Sequence, residues 1–302
     1  MTDYHHWNRR TMLGAAAASI AAVGLRGCTL PEKGFDGSAR LRALEMESGG
    51  ILGAAILDTA SGQMLGNRLD ERFAHCSSFK LSLAAMALRA GDAVLDTKVS
   101  IADSDITTYS PVTQPLVGRS MTIRELAKAA LVASDNAAAN LVLRQLGGPG
   151  ALTGFWRSIG DDVSRLDRTE PSLNYVPPGE VRDTTTARAM AQTVGNLLFG
   201  DALDGPQRTI LRGWMRETQT GMNRVRGGIP SGWDSGDKTG TAFAQGMGSI
   251  YVDLAFAVPP GGESVIIAGY FKVAEVHSKV EPDSAAVLAA LGAIAATWVR
   301  PV

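Results

Sequence analysis

The sequence predicts a mixed α/β (α+β) fold in which the strands come from the two ends of the chain and an all-helical lobe is inserted between them. Three observations carry this reading. Apolar, strand-length runs occur early, at 51–57, and late, where Pro259-Pro260-Gly261-Gly262 joins two apolar segments in a strong hairpin signal. Helix-period patterns fill the middle of the chain, and helical patterns also bracket it at 38–48 and 284–299. The α/β lobe is therefore expected at about 35–73 and 219–302, the helical lobe at about 74–218, and a site in the cleft between them.

Residues 1–28 read as an export signal. Arg9-Arg10 precede an alanine-rich apolar run from Met12 to Leu25, which falls short of the about 20 apolar residues that cross a membrane as a helix. Paired arginines in this place suggest the twin-arginine route. Leu25-Arg26-Gly27-Cys28 also has the form of a lipoprotein processing site with Cys28 as the lipidated residue. The mature protein is thus expected to be exported, periplasmic, free or anchored through Cys28. Helical spacing over 38–48 sends Leu41, Leu44 and Met46 to the core. A strand over 51–57, a turn at Asp58–Gly62 and a return strand over 63–65 follow. Helix resumes from Ser77 to Arg89, and Thr122 with Glu125 forms a capping box before Leu126–Val132. Further helices are expected at 137–146, 151–159, 186–198 and 205–217, then strands at 237–243, 249–258 and 264–273, and the helix at 284–299.

Composition removes several functions. Among 302 residues, 29 basic and 30 acidic side chains leave a formal net charge of -1, which argues against a nucleic-acid partner. Two cysteines, Cys28 and Cys76, allow one bridge at most. Of four histidines, His5 and His6 fall in the expected leader, and His75 and His277 lack ligand spacing, so no metal and no cofactor is expected.

Three short motifs carry chemistry. Ser77-Ser78-Phe79-Lys80 puts a serine and a lysine three apart at a helix start, where they share a face. The ammonium then lowers the cost of deprotonating the hydroxyl, and the helix N-terminus favours negative charge. Ser235-Gly236-Asp237-Lys238 matches the same pattern but precedes a strand, so it is set aside as a nucleophile site. Ser134-Asp135-Asn136 lies between two helices, where each residue type is also a good cap. Lys238-Thr239-Gly240 lies on a strand, where a lysine is also a common guard of an exposed edge. Singly each motif has that plain structural explanation; in this order the three mark the penicillin-recognising serine enzymes.

The chain resembles that superfamily over nearly all of its mature length, and most of all class A β-lactamases. The resemblance rests on Cys76–Lys80, Tyr109–Val112, SDNAAANLVL from Ser134, Glu170–Asn174, RDTTT from Arg182 and DKTGT from Asp237. It implies a five-stranded antiparallel sheet flanked by terminal helices, and a monomer. It implies a β-lactam substrate, Ser77 as nucleophile, and Lys80 or Glu170 as the group that activates it. Ser134 is then the proton relay to the lactam nitrogen, with Lys238 nearby to favour the alkoxide or the substrate carboxylate. Glu170 and Asn174, four apart, hold the water that cleaves the acyl ester. Asn136 meets the acylamide side chain, and the backbone N–H groups of Ser77 and Thr241 form the oxyanion hole. Thr239, Thr241 and Arg224 bind the substrate carboxylate, with Arg224 pointing into the site, and Tyr109 walls the cleft. Arg168 and Asp183 close the neck of the loop that carries Glu170, and Glu170-Pro171 is a candidate cis peptide. Ala242 stands where carbapenem-hydrolysing branches bridge a cysteine to the one before the nucleophile, so Cys76 is expected as a free buried thiol. Two other readings use the same three motifs: a peptidoglycan D,D-peptidase, and a drug-binding sensor that stays acylated. Neither needs Glu170 with Asn174.

Overall fold

The computed structural model describes residues 36–299, so the expected leader and Cys28 lie outside the described residues. Helix α1 (Gly37–Ser48) starts at Asp36, whose carboxylate accepts the Ala39 amide at 2.9 Å, and stops at Gly49 in the left-handed conformation. Strands β1 (Ile51–Asp58), β2 (Met64–Asn67) and β3 (Arg72–Ala74) follow. The middle of the chain supplies α2 (Phe79–Arg89), α3 (Asp92–Leu95), β4 (Lys98–Ser100), β5 (Ser120–Thr122), α4 (Ile123–Val132), α5 (Asn136–Gln145) and α6 (Pro149–Ser158). It continues through β6 (Thr184–Thr186), α7 (Ala187–Leu198) and α8 (Gly205–Glu217). Strands β7 (Asp234–Ala244), β8 (Gly248–Val258) and β9 (Val265–Val273) and helix α9 (Pro282–Trp298) complete the chain. The capping box is present: Thr122 accepts from the Glu125 amide, and Glu125 accepts from the Thr122 amide.

Five strands form one antiparallel sheet in the order β2-β1-β9-β8-β7. Helices α1 and α9 cover one face, where Leu41, Leu52, Ile56, Ile267, Leu288 and Leu291 make one core. The other face meets the middle of the chain in a larger core around Phe79, Leu126, Trp156, Met190, Phe256 and Tyr270. Each such side chain contributes about 1.5–3 kcal/mol on leaving water. Strand β7 is a sheet edge, and it runs beside the turn that precedes α2.

Two expectations need correction. Met46 is 77% exposed and outside the core. It lies five residues after Leu41, about 140° around the helix from it. The residue on the inner face is Glu45, which accepts the Leu52 amide at 2.9 Å and binds Asn67 and Arg68. The expected strand at 63–65 runs instead over 64–67. The short strands were absent from the sequence reading: β3 pairs with β6, and β4 with β5, each over three residues. Arg72 faces Thr186 in a pairing that ties the chain before the nucleophile to the end of the Glu170 loop.

Candidate active site

Ser77 occupies the centre of a 3-10 turn, Cys76–Ser78, which leads directly into α2. Cys76 has a φ of 46°, a left-handed conformation that a side chain disfavours and that its surroundings must impose. The Ser78 hydroxyl donates to His75 O at 2.7 Å, and the His75 amide donates to Asp183 O at 3.0 Å. Strand β7 presses from the other side. A Cβ on Gly240 would lie 2.9 Å from Cys76 Cβ and 3.1 Å from the Ser77 nitrogen, so only glycine lets strand and turn approach this closely.

One turn further on, Lys80 is fully buried. Its Nζ lies 2.9 Å from Ser77 Oγ, 2.9 Å from Ser134 O and 3.1 Å from Glu170 Oε1, and also contacts Asn136 Oδ1. Four acceptors compete for at most three N–H groups. Burial pushes the Lys80 ammonium towards its neutral form, and the Glu170 carboxylate opposes that push. Glu170 Oε1 also accepts from Ser77 Oγ at 3.3 Å. Nucleophile, lysine and carboxylate thus form a closed triangle of contacts drawn from two distant stretches of chain.

Glu170 is held through its backbone as well as its side chain. Asn140 Nδ2 donates to Glu170 O at 2.9 Å, and Asn140 Oδ1 accepts the Glu170 amide at 3.0 Å. Asn174 Nδ2 donates to Glu170 Oε2 at 2.6 Å, which leaves Asn174 Oδ1 a buried acceptor without a protein donor. The Glu170-Pro171 bond is cis. At the neck of this loop Asp183 accepts the amides of Asp167 and Arg168 at 2.7 and 2.9 Å, and Arg168 Nε at 2.5 Å.

Ser134 has a φ of 57° in the turn before α5. Asp135 fixes that turn by accepting the amides of Val112, Thr113 and Ala138 at 2.8–2.9 Å. Asn136 Nδ2 donates to Thr108 O at 2.7 Å, and its amide donates to Tyr109 O at 3.0 Å. The Tyr109 side chain is largely exposed above them.

Lys238 Nζ lies 3.0 Å from Ser134 Oγ and 2.8 Å from Thr239 O. Burial, then the charge of Lys80, lower its pKa to about 7. Because the Thr239 carbonyl faces Lys238 rather than β8, strand alternation puts the Thr241 N–H on the same open edge, beside Ser77. The rival Ser235 lies on β7, three residues from Lys238, and so points to the opposite face.

Arg224 differs from the expected arginine aimed into the cleft. It is buried beneath β7, where Nη1 donates to Gly240 O and Val252 O at 2.8 Å each. Only Nη2 reaches the site, donating to Thr241 Oγ1 at 2.6 Å. Cys76 is free and buried, and that burial pushes its thiol far up from the usual range. Asp253, which accepts the Val225 amide at 3.0 Å, is also pushed well up, by burial and then by Asp237. Sequence reading passed over Asn140 and Thr220. Asn140 carried a usable signal, since it lies one helical turn from Asn136 in an otherwise apolar stretch. Thr220, whose Oγ1 is 2.7 Å from Thr239 Oγ1, carried none.

A serine bonded to a lysine one turn away, a second serine bonded to a second lysine, and a clamped carboxylate define a serine hydrolase of the acyl-transfer type. Comparison with known proteins narrows this. Residues 37–299 match the β-lactamase enzyme family. The chain is 41% identical to β-lactamase CTX-M-8 of Citrobacter amalonaticus, over 92% of this chain and 94% of that one. It is 40% identical to the carbapenem-hydrolyzing β-lactamase KPC of Klebsiella oxytoca, over 83% and 85%. Among solved structures, the ancestral class A β-lactamase GNCA superposes with a TM-score of 0.80 at 46% identity, over 85% of this chain and 98% of that one. The chain belongs to the β-lactamase enzyme family, within class A.

Proposed function

We propose that the protein hydrolyses the β-lactam amide of penicillins and cephalosporins through an acyl-enzyme on Ser77, and so confers resistance to them. The observation that carries the mechanism is Glu170 Oε1 3.3 Å from Ser77 Oγ, with Asn174 on its other oxygen. In acylation, Ser77 Oγ attacks the lactam carbonyl while its proton passes to Lys80 or Glu170, both in contact with it. The oxyanion is met by the N–H groups of Ser77 and Thr241, each worth about 3–4 kcal/mol in such a hole. As the C–N bond breaks, Ser134 gives its proton to the nitrogen, with Lys238 beside it to favour the alkoxide, and the proton taken from Ser77 then replaces it, so that Lys80 and Glu170 return to their starting protonation states. In deacylation, Glu170 takes a proton from a water bridging it and Asn174, and that water attacks the ester carbonyl. Ser77 Oγ leaves with the proton that Glu170 took from the water, and the site is restored. The free acceptor at Asn174 Oδ1 suits such a water.

Thr239, Thr241 and Lys238 hold the substrate carboxylate, and Arg224 acts on it through Thr241. Asn136 donates its remaining amide hydrogen to the acylamide group, and Tyr109 walls the entrance. Residues 35–302 form the catalytic domain, with an α/β lobe at about 35–73 and 219–302 and a helical lobe at about 74–218. Residues 1–28 serve as a leader to the periplasm, cleaved outright or processed to a lipidated Cys28, and the enzyme works as a monomer. Nitrocefin tests the activity. Sustained turnover by the protein and none by Ser77→Ala supports it; one equivalent of colour and then arrest would point to a D,D-peptidase or sensor.

A further inference from the structure

The hydroxyls of Thr239 and Thr241 can serve an anionic ligand only as donors. A hydroxyl has one hydrogen and two lone pairs. Its hydrogen is directed to a ligand most firmly when another donor fills a lone pair from behind. For Thr241 that donor is visible, because Arg224 Nη2 donates to its Oγ1 at 2.6 Å and can accept nothing. Among the described residues, no cation donates to Thr239 Oγ1 in this role. Its Oγ1 meets Thr220 Oγ1 at 2.7 Å.

We propose that Thr220 is a positioning residue that donates to Thr239 Oγ1 and thereby turns the Thr239 hydrogen towards the substrate carboxylate. The segment that carries Thr220 is built to hold it there. Thr218 Oγ1 donates to the Asp237 carboxylate and lies 3.1 Å from Asp237 O, and Arg226 Nη1 donates to Thr218 O at 2.8 Å and to Asp237 Oδ1 at 3.3 Å. Gly221 packs so tightly that a Cβ there would lie 1.3 Å from Asp237 Oδ2. Residues 218–226 are thus pinned to the start of β7. From that clamp they present Thr220 to one carboxylate-binding hydroxyl and Arg224 to the other. Thr220 itself is exposed, so water competes with Thr239 for its hydrogen. A bound anion settles both hydroxyls in one direction.

This inference rests on the reading of Thr239 and Thr241 as the carboxylate site, and the test separates the two. Benzylpenicillin and its methyl ester are compared by kcat/KM in the unmodified protein and in Thr220→Val, Thr220→Ser and Thr239→Val. Valine keeps the shape of threonine and removes the donor. Thr220→Val lowers the acid-to-ester ratio about three- to tenfold, the range of one hydrogen bond, mainly through KM for the acid, and Thr220→Ser restores it. An unchanged ratio in Thr220→Val, or an equal fall for acid and ester, overturns the role of Thr220. If Thr239→Val also leaves the ratio unchanged, the carboxylate site itself is misplaced. Thr220→Ala gives the same readout should the valine variant fail to fold.

Discussion

Replacing Asp183 by asparagine tests how the loop that carries Glu170 is held. Asp183 is fully buried and accepts three donors: two backbone amides at 2.7 and 2.9 Å and Arg168 Nε at 2.5 Å. Its φ of 58° is a conformation that Asn tolerates as Asp does, so the change adds little backbone strain. Asparagine keeps one oxygen for the two amides but turns an NH2 group towards Arg168. The variant therefore loses one charge-assisted hydrogen bond, worth about 1.5–3 kcal/mol. The Arg168 side chain is 21% exposed, so water offsets part of the larger penalty of a stranded buried charge, which is about 3–5 kcal/mol. A loss of about 2–3 kcal/mol is expected, read as the shift of the urea midpoint multiplied by an unchanged slope. Deacylation should slow more than acylation, because the bond lost is on the Asp183 side chain, which holds the Glu170 loop, while the Asp183 carbonyl that accepts the His75 amide beside the nucleophile is kept. Single-turnover kinetics would resolve the two steps. A variant within about 0.5 kcal/mol of the parent, the range of an ordinary surface change, with both steps intact, would refute this account of the neck.

Lys238 has its pKa lowered from 10.5 to about 7. Between those values the unfolded chain binds the extra proton, so this group's penalty is full below pH 7 and is relieved as pH rises towards 10.5. Lys238→Met should reduce the rise of stability with pH in that window by up to about 1.4 kcal/mol per pH unit, measured by denaturant titration at several pH values. Gly240→Ala must push β7 away from the turn at Ser77, since its Cβ would lie 2.9–3.1 Å from Cys76, His75 and Ser77 atoms. The acylation rate should fall roughly 10- to 100-fold, as misplaced reacting groups do, in stopped-flow measurements with a chromogenic β-lactam. Cys76, buried with its thiol pKa pushed up, should resist thiol reagents in the native protein and react after unfolding, as followed by peptide mapping.

The site was more legible in the sequence than the frame that holds it. Ser77 with Lys80, and Glu170 with Asn174, are local pairs whose spacing encodes their contact. Lys80 with Glu170, or Lys238 with Ser134, are contacts across the chain; no periodicity specifies them, and they were reached through a resemblance to a family. The long strands and amphipathic helices announced themselves because their apolar pattern runs for eight residues or more. The β3–β6 and β4–β5 pairs did not, because three residues give no alternation to read and their partners are remote. Met46 shows the limit of counting apolar residues: a helix of eleven to twelve residues has one inner stripe, and a position five residues along leaves it. Thr220 marks the same limit for polar groups. Its meaning comes only from the hydroxyl it touches on β7.

The most direct test is quenched mass spectrometry of Glu170→Ala with benzylpenicillin. A covalent adduct of the intact drug mass is expected on the peptide containing Ser77, persisting for hours while the parent protein shows free enzyme and hydrolysed product. Rapid release of product by the variant, or an adduct on any residue other than Ser77, would contradict the mechanism.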